Sequence, residues 1–308
     1  MCIAVFLWQA HPLYPFFLLL NRDEYHSRPT EGLAWRKGEE ILGGKDGLAG
    51  GTWLACGRDG KIAFLTNVRE LHLLPQAKTR GDLPLRFLRA RSHSIIIPFE
   101  FLIVEIVVLR LFEESHGLKW WQSKKTPVEF AEEVVKEADQ FNGFNLILAD
   151  ISTKSMVYVT NRTNNDQKFV TNVLPGIHVL TNASLDTPWP KAQRLGDSFK
   201  ELLKEYSEGE LPAKEMVEKL MTNTIRDDDE SLLPAIFPPE SEHYLSSIFI
   251  DAVTPLGRYG TRSTSALAVK TKGEVSFYEK SLDSENEQWN ERTVKFEINR
   301  GEESNSEP

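Results

Sequence analysis

The chain opens with two apolar runs that decide its fold, Met1-Cys2-Ile3-Ala4-Val5-Phe6-Leu7-Trp8 and Phe16-Phe17-Leu18-Leu19-Leu20-Asn21-Arg22-Asp23-Glu24. Residues 9–15 join them and contain two prolines, a pattern that predicts an antiparallel β-hairpin folded about His11 to Leu13. In that register Cys2 faces Arg22, and facing Cβ atoms of an antiparallel pair lie roughly 4.5–5.5 Å apart. We therefore expect the thiol and the guanidinium to meet.

This hairpin gives Cys2 a chemical environment. We expect removal of Met1, which the small Cys2 side chain permits, to leave an N-terminal cysteine. The α-amine has a reference pKa of about 7.7–8.0, so a neutral fraction can accept the thiol proton. Arg22 is expected to favour the thiolate, and Asp23 to hydrogen-bond the amine. The alternative is a buried apolar strand that happens to carry a cysteine, followed by a charged turn.

Composition limits the class of protein. The 308 residues are 41% hydrophobic and 26% charged, enough for one large domain or two small ones with a real core. The net charge of −9 argues against a nucleic-acid partner, because phosphate binding needs a basic face. Cys2 and Cys56 are the only cysteines, which favours a reducing compartment over a disulfide framework. The histidines form no ligand-spaced pair, so the sequence predicts no metal and no cofactor.

An export signal is the alternative interpretation of the apolar start. Such a signal has a positively charged first segment, an unbroken apolar run and a small-residue cleavage site. Here no positive segment precedes the run, Pro12 and Pro15 interrupt it, and the charged tetrad Asn21 to Glu24 follows directly. We therefore expect a cytoplasmic protein.

Residues 89–122 interrupt the pattern of the rest of the chain. Their long apolar run resembles a membrane span, yet it contains Pro98, Glu100, Glu105 and Arg110. Two central glutamates are costly in a bilayer, so no transmembrane segment is predicted. We interpret residues 89–122 as an insertion, such as retained intron sequence, that forms a peripheral helix or a poorly packed excursion.

The segments after the hairpin are predicted as a loop, a glycine-rich stretch and a second hairpin. Residues 25–38 are expected to form the loop, and residues 43–51 contain five glycines. No Gly-Lys-Ser or Gly-Lys-Thr ends this stretch and no helix follows, which argues against a phosphate loop. The glycines are expected to let the backbone pack close to a site. Residues 52–67 are typical of a β-hairpin, with Cys56 as a small core residue.

The remaining chain mixes helices and strands. Thr126, Pro127 and Glu129 form a helix-start signal, and Gly143 is expected to end the helix. The residues expected on its buried face are Val128, Ala131, Val135 and Ala138. Further helices are predicted over residues 191–206 and 213–223. Strands are predicted over residues 145–149, 156–160, 168–173, 177–181, 247–253, 264–271, 274–280 and 292–298.

This order of elements predicts an α+β fold. Antiparallel sheets stack on each other, and helices cover their outer faces. We expect a single domain over residues 1–300, interrupted by the insertion, and a disordered tail over residues 301–308.

Several motifs resemble one known family. They are Met1-Cys2-Ile3, Asn21-Arg22-Asp23-Glu24, Gly50-Gly51-Thr52-Trp53-Leu54, Leu65-Thr66-Asn67-Val68-Arg69, Asn142-Gly143-Phe144-Asn145, Leu180-Thr181-Asn182-Ala183 and Tyr259-Gly260-Thr261-Arg262-Ser263. Over nearly the whole chain they resemble the transport and Golgi organization 2 family, also called NRDE proteins. The resemblance implies a cytoplasmic protein, associated with mitochondria or Golgi, that acts in secretory traffic, Golgi organisation and lipid or haem handling.

A more distant resemblance supplies a mechanism. Penicillin V acylase and bile-salt hydrolase, both N-terminal nucleophile hydrolases, also begin with a cysteine, and an arginine and an aspartate follow. This resemblance implies a four-layer αββα sandwich with Cys2 at a strand start between the two sheets. The catalytic residues carried over by motif are Cys2, Arg22, Asp23, Asn182 and Arg262, with Asn67 as a further oxyanion or substrate contact. The order Asn-Arg-Asp-Glu departs from the Arg-Asn-x-Asp order of those enzymes. The alternative for Asn182 is a residue that satisfies a local turn.

Two functions from different classes follow. In the first, a cleft around Cys2 and the Asn21–Glu24 tetrad holds an acyl-CoA, a lipid or haem without turnover. The expected ligand contacts are Asn21, Glu24, Asn67 and Arg69, with Arg22 and Arg262 as further cations for a phosphate group. In the second, a cysteine amidohydrolase or acyltransferase cleaves an amide or thioester through an acyl-Cys2 intermediate. The fold does not choose between them, and the oligomeric state stays open.

Overall fold

The computed structural model describes residues 2–90, 125–163, 169–283 and 286–299. Within these ranges the chain forms fourteen β-strands and five α-helices. The strands are β1 (Ile3–Trp8), β2 (Phe16–Tyr25), β3 (Thr30–Trp35), β4 (Ile41–Asp46), β5 (Leu54–Gly57), β6 (Lys61–Asn67), β7 (Phe144–Asp150), β8 (Ser155–Thr160), β9 (Val170–Asn172), β10 (Gly176–Leu180), β11 (Asp251–Thr254), β12 (Gly257–Val269), β13 (Glu274–Leu282) and β14 (Trp289–Glu297). The helices are α1 (Asp82–Arg89), α2 (Pro127–Lys136), α3 (Pro190–Glu205), α4 (Ala213–Leu220) and α5 (Pro239–Leu245). None of these helices has both the length and the apolar composition that a bilayer span requires.

The strands assemble into two antiparallel sheets. The first sheet has the order β10-β1-β2-β12-β13-β14, with β11 also paired to β12, and the second runs from β3 to β9 in sequence order. The predicted N-terminal hairpin and its register are confirmed, because Ala4 faces Leu20 and Ile3 faces Asn21. β2 also pairs with β12 along its other edge. The strand that carries the tetrad is therefore central in its sheet.

Three apolar layers join the sheets and helices. Between the sheets lie the even-numbered residues of β1 and β2, among them Phe6, whose ring lies 5.4 Å from that of Phe64 in an edge-on contact. The odd-numbered residues face α3 and α4, and Phe17 stacks on Phe199 with ring centroids 6.2 Å apart. On the far side, α1 and α2 cover the second sheet. The predicted α+β fold, an αββα sandwich of stacked antiparallel sheets, is confirmed.

A buried carboxyl group also links the two sheets. Glu279 of β13 is 1% exposed and accepts a hydrogen bond from the backbone N–H of Leu33 in β3 at 2.6 Å. The hydroxyl of Ser265 donates to its other oxygen at 3.4 Å. Burial raises the pKa of this carboxyl to about 7. The edge strand β3 is thus attached to the first sheet by a group that titrates near neutral pH.

The segment predicted as a loop and a glycine-rich stretch instead contains strands β3 and β4. Glycine is depleted in strands, so its abundance concealed this pair. Close neighbours require glycine here: a Cβ on Gly43 would lie 2.5 Å from the Leu54 carbonyl oxygen, and one on Gly44 would lie 2.3 Å from the Trp53 ring. The second predicted hairpin is confirmed as β5 and β6.

The predicted start of α2 is confirmed, because Thr126 and Glu129 form a capping box. Its predicted buried face is partly wrong: Val128 is exposed, and the buried residues are Pro127, Phe130, Ala131 and Val134. The large Phe130 ring buries more apolar area than Val128 and so sets the rotation of the helix. The helix ends at Lys136, and a 3₁₀ turn over residues 138–140 replaces its predicted last turn.

The last third of the chain follows the prediction in part, and the strand predicted from residue 264 begins at Gly257. The helices predicted over residues 191–206 and 213–223 are confirmed as α3 and α4. The strand predicted from residue 247 begins at Asp251, and the short helix α5, which follows Pro238, was not predicted. The predicted insertion at 89–122 lies outside the described residues except for residues 89 and 90, and the tail at 301–308 lies wholly outside them.

Candidate functional site

Cys2 directly precedes β1 and is 8% exposed. The observed pairing of β1 with β2 ends at Ile3 and Asn21, and Cys2 and Arg22 are the next residues along the two chains. Burial raises the pKa of the thiol and the Asp23 carboxylate raises it further, whereas a hydrogen bond with the Asp23 backbone and the Arg22 guanidinium lower it. Arg22 thus acts in the expected direction, but burial outweighs it. The neutral thiol is the stable form at neutral pH.

The tetrad presents its side chains alternately to the two faces of β2. Asn21 is fully buried on the face covered by helices. Its Nδ2 donates hydrogen bonds to the carbonyl oxygens of Met221 at 2.8 Å and Ile248 at 3.0 Å. These bonds attach β2 to the segment between α4 and β11, so Asn21 positions backbone at the end of the sheet.

Arg22 points to the opposite face, between the sheets. Its Nη1 donates to Thr30 Oγ1 at 3.0 Å, and its Nη2 pairs with Asp46 Oδ2 at 3.2 Å. The guanidinium carbon lies 4.3 Å from the centroid of the Trp53 ring. Arg28 donates two further hydrogen bonds to the Asp46 carboxylate. Protein groups therefore surround the Arg22 guanidinium in this state of the molecule.

Glu24 and Arg262 contact the turn that follows β2. Glu24 accepts a hydrogen bond from the backbone N–H of Tyr25 at 2.8 Å and lies 3.7 Å from Arg28. Arg262 is 1% exposed and lies where the pairing of β12 with β2 shifts register. Its guanidinium donates to the backbone carbonyls of Tyr25, His26, Arg28 and Leu282. Arg262 thus holds the turn after β2 in place through hydrogen bonds to its carbonyl oxygens. The sequence did not indicate this structural role.

Asp23 and Lys191 are two buried ionisable residues, and each acts on the pKa of the other. Asp23 is 6% exposed and accepts a hydrogen bond from Thr261 Oγ1 at 2.6 Å. Lys191, in the first turn of α3, is 2% exposed and donates from Nζ to the Leu245 carbonyl at 2.9 Å. Burial raises the pKa of Asp23, and the N-terminal ammonium and then Lys191 lower it. Burial lowers the pKa of Lys191 to about 8, while Asp23 and Cys2 raise it.

Lys191 was not predicted as a site residue, although the sequence contains a signal for it. Lys191, Leu195 and Phe199 recur at intervals of four, which places the lysine on the apolar face of α3. Lysine is almost never fully buried unless it is paired. A lysine in phase with buried leucine and phenylalanine therefore indicates a functional or structural cation.

Asn182 follows β10 and connects the two sheets. Its Nδ2 donates to the carbonyl oxygen of Asn67 at 2.7 Å, and its own carbonyl accepts from the backbone N–H of Arg69 at 2.8 Å. Its buried Oδ1 has no hydrogen-bond partner in the described part of the chain. The Asn67 side chain is exposed. One of the two N–H donors of the Asn182 amide is thus engaged by the protein.

A polar network fixes the turn after β10. Asn145 of β7 donates from Nδ2 to the carbonyl of Ala183 at 2.7 Å and to Thr66 Oγ1 at 3.2 Å. Its Oδ1 accepts from the Tyr158 hydroxyl at 2.7 Å. Thr66 in turn donates to the Thr181 carbonyl at 2.5 Å. Residues from two of the recognised motifs therefore hold the Asn182 backbone in place.

Arg69 and Lys191 line a small pocket, together with Trp189, Glu242 and Leu245. The Arg69 guanidinium pairs with the Glu242 carboxylate, both side chains are 2% exposed, and it lies 5.0 Å from the Trp189 ring centroid. Burial lowers the pKa of Arg69, and Glu242 raises it. Arg69, expected as a ligand contact, is therefore paired within the protein.

The candidate residues fall into two neighbouring groups. In the first, Asp23 acts on the pKa of Cys2, and both residues raise the pKa of Lys191. Asn182 and Arg69 form the other through their backbone hydrogen bond. Lys191 adjoins Arg69, because the two residues line the same pocket. Over the ranges that the structure describes, no cluster of three or more His, Cys, Asp or Glu side chains is arranged to hold a metal ion.

Comparison with known proteins identifies the family. A family model described as Transport and Golgi organisation 2 matches residues 1–99 and 115–284. The chain belongs to this family. The human Transport and Golgi organization protein 2 homolog is 31% identical over 313 residues, covering 97% of this chain and 99% of the relative. The mouse homolog is 29% identical over 311 residues with the same coverage. In this Transport and Golgi organisation 2 chain, the break in the match lies within the predicted insertion at 89–122, which stays a prediction.

Two solved structures resemble the chain weakly. One is the C2A mutant of conjugated bile acid hydrolase from Clostridium perfringens, with 10% identity, 97% of each chain covered and a TM-score of 0.42. The other is the Caenorhabditis elegans N-acylethanolamine-hydrolyzing acid amidase ortholog, with 15% identity, 80% of this chain and 98% of that chain covered, and a TM-score of 0.34. The fold described above rests on the sheets and helices of the chain itself.

Proposed function

We propose that this chain transfers acyl groups through Cys2, as a cysteine hydrolase or acyltransferase that acts on an amide or on a thioester such as an acyl-CoA. The observation that supports this most is the buried Cys2 thiol at the start of β1, together with two further buried groups, Asp23 and Lys191, whose pKa values are also shifted. Titratable groups whose pKa values are displaced together are typical of reactive sites. In line with the family description, the acyl transfer serves transport and Golgi organisation.

The proposed reaction has two stages. Loss of Met1 leaves the Cys2 α-amine, which takes the thiol proton while the sulfur attacks the carbonyl carbon of the acyl donor. The new S–C bond forms, the bond to the leaving amine or thiol breaks, and the leaving group receives the proton from the α-ammonium. Water then attacks the thioester and releases a carboxylic acid, or an acceptor amine or thiol takes the acyl group. Asn182 and backbone N–H groups are the proposed oxyanion donors.

The second candidate function is binding without turnover. Burial raises the pKa of the Cys2 thiol, so the thiol stays protonated at neutral pH and is a poor nucleophile. In this proposal the site holds an acyl-CoA, a lipid or haem, with contacts from Asn21, Glu24, Asn67 and Arg69. A cytoplasmic location, with association to Golgi or mitochondria, belongs to both proposals, and fractionation of cells that express the tagged full chain tests it.

Intact-mass spectrometry of the full chain distinguishes the two functions. After incubation with a long-chain acyl-CoA, we expect one acyl group on Cys2 that hydroxylamine releases, because a thioester is sensitive to it. Cys2→Ala should carry no such adduct, and Cys56→Ala should behave as the wild type. Saturable binding of the acyl-CoA with no adduct and no release of free CoA would support binding without turnover. A hydroxylamine-resistant adduct would indicate acyl migration to the α-amine, which also contradicts turnover.

A further inference from the structure

Residues 224–247 form a strap that leaves the body of the fold and returns to it at one place. The two ends of the strap are joined, because the backbone N–H of Phe249 donates to the Asn223 carbonyl at 2.8 Å. The Asn21 side chain holds the same base, since its Nδ2 donates to backbone carbonyls on both sides of the strap. A segment with a fixed base can lift as a unit, as the lids of enzymes do.

Cations of the body hold the underside of the strap. Close to its base, the side chains of Lys191 and Arg194 donate to backbone carbonyls of the strap. Farther out, over residues 228–243, the described part of the chain shows one ion pair with a residue outside the strap, and this is the pair of Glu242 with Arg69. Glu242 therefore attaches the outer part of the strap to the body.

The Glu242 carboxylate is bound by the strap as well as by Arg69. Its Oε1 accepts hydrogen bonds from the backbone N–H groups of Ile236 at 3.0 Å and Phe237 at 2.8 Å. Both donors belong to the strap, so they move with the carboxylate and keep hydrogen bonds to it when the strap lifts. The ion pair of its other oxygen with Arg69 is the contact that has to break.

Arg69 is positioned by the body of the fold. Its backbone N–H donates to the Asn182 carbonyl at 2.8 Å, and its guanidinium carbon lies 5.0 Å from the centroid of the Trp189 ring. A guanidinium has five N–H donors, so one that stays in place after its carboxylate has left binds another anion. With the strap closed, the pocket beside Arg69 is about the size of one water molecule. A larger ligand therefore requires the strap to move.

We propose that the strap is a lid and that Glu242 occupies the place of the ligand's own anionic group, a carboxylate or a phosphate, which displaces it from Arg69 when the lid opens. The ligand is thus an acyl compound that carries an anionic group. A neutral acyl compound has no group that competes with Glu242 for Arg69. This inference rests on the proposed function for the acyl part of the ligand, and on the contacts of the strap for its anionic part.

Equilibrium binding to the full chain tests this exchange of anions. The probes are palmitoyl-CoA, which carries phosphates, palmitate, which carries a carboxylate, and methyl palmitate, which carries neither. Glu242→Gln keeps an acceptor for the N–H groups of Ile236 and Phe237 but removes the competing anion. The anionic probe that the site accepts should therefore gain at least about fivefold more affinity than methyl palmitate, which reports opening of the lid alone. A gain for palmitoyl-CoA alone identifies a phosphate, and a gain for palmitate alone identifies a carboxylate.

Two further variants separate this exchange from a general effect of charge or stability. Glu240→Gln is the matched control, because it removes the same charge from an exposed position of α5 and should leave all affinities unchanged. The double variant Arg69→Gln/Glu242→Gln leaves neither charge of the buried pair alone, and it should bind the anionic probe at least about tenfold more weakly than Glu242→Gln. Equal affinities of Glu242→Gln and the wild type, or of the single and double variants, would overturn the inference.

Hydrogen exchange of the wild-type chain, followed by mass spectrometry, gives a second test that depends on no variant. Saturation with the anionic probe should increase exchange over residues 228–243, because the lid then spends more time open. Slower or unchanged exchange in this segment would overturn the inference, and so would failure of both anionic probes to bind. Absence of acyl-Cys2 with these binding and exchange changes intact would contradict the proposed acyl transfer and leave the lid supported.

Discussion

Asn182 donates a hydrogen bond from Nδ2 to the backbone carbonyl of Asn67 at 2.7 Å, across 115 residues of sequence. The bond joins the end of β10 in the first sheet to the end of β6 in the second. Because these ends adjoin Arg69 and its partner Glu242, the contact fixes the distance between the sheets at the candidate site. Substitutions of Asn182 or Asn67 are therefore expected to alter the site without disturbing the packing of the apolar layers.

The first expected outcome concerns the N-terminus. Intact-mass and peptide analysis of the chain purified from its native cells should show that Met1 is absent and that Cys2 is neither acetylated nor lipidated, because a cap removes the amine that acts as base. A chain capped at Cys2 in most molecules would exclude the acyl-transfer mechanism and leave binding without turnover untouched.

Arg22→Ala is expected to raise the pKa of the Cys2 thiol, because the Arg22 guanidinium lowers it. The rate of Cys2 alkylation, measured against pH in the Cys56→Ala background, should shift to higher pH. Arg28→Ala is the control, since Arg28 pairs with the same Asp46 carboxylate from a more exposed position. Identical profiles for Arg22→Ala and the parent would show that Arg22 has only a structural role in β2.

Binding of acyl-CoA tests whether Arg22 and Arg262 hold one anionic group. Each alanine variant should weaken binding, and the double variant should lose less affinity than the sum if both arginines share that group. Calorimetric titration of the two single variants and the double variant gives the coupling. Additive or absent losses would show that the hydrogen bonds of Arg262 to the backbone carbonyls are its whole role.

Replacing only one residue of the buried Arg69–Glu242 pair is expected to destabilise the chain more than replacing both. Arg69→Met should lower the free energy of unfolding by about 3–5 kcal/mol, because it leaves a buried carboxylate without its cation. Adding Glu242→Gln, which can still accept from the N–H groups of Ile236 and Phe237, should recover part of that loss. Denaturant unfolding measures both. As a control, the exposed pair of Lys204 and Glu201 should contribute no more than about 1 kcal/mol to the free energy of unfolding. If the losses from Arg69→Met and Glu242→Gln simply add, this explanation of the buried pair is wrong.

Glu279 should make the stability of the chain depend on pH. Burial raises the pKa of its carboxyl from 4.5 to about 7, so the folded chain holds a proton that the unfolded chain has released. The contribution of Glu279 to the free energy of unfolding should therefore be fully present below pH 4.5. It should be lost as pH rises through 7, and the total loss should be about 3 kcal/mol. Glu279→Gln should remove this part of the slope between pH 5 and 7, and Glu208→Gln, on the surface, should not. An unchanged slope in Glu279→Gln would rule out the shift.

The hairpin register shows what the sequence could predict. Two apolar runs around a proline-containing connection fix which residues face each other, and Ile3 faces Asn21 as expected. The capping box at Thr126 and the apolar phase of α3 were also readable, because both depend on residues within a few positions. The local spacing of residues therefore predicted many of the helices and strands, and the order of these elements predicted the layers of the fold.

The site was less predictable because its contacts are distant in sequence. Arg262 satisfies carbonyls more than two hundred residues away, and the partner of Arg69 is 173 residues away. No local pattern indicates such a partner. Lys191 was visible as a lysine in phase with buried residues, but its hydrogen bond joins it to the Leu245 carbonyl, 54 residues away. The strands β3 and β4 were not predicted from the sequence because their glycines lower strand propensity. The same glycines are required by close packing against neighbouring residues.

The position of β2 between β1 and β12 affects how the chain folds as it is made. β2 ends at Tyr25, whereas its partner β12 begins at Gly257. At typical synthesis rates, roughly 10–50 s separate the appearance of the two strands. Through that time one edge of β2 is unpaired and Arg262 does not yet exist to close the turn. Enzymes that trim new N-termini therefore reach Met1 and Cys2 before the completed sheet buries the thiol.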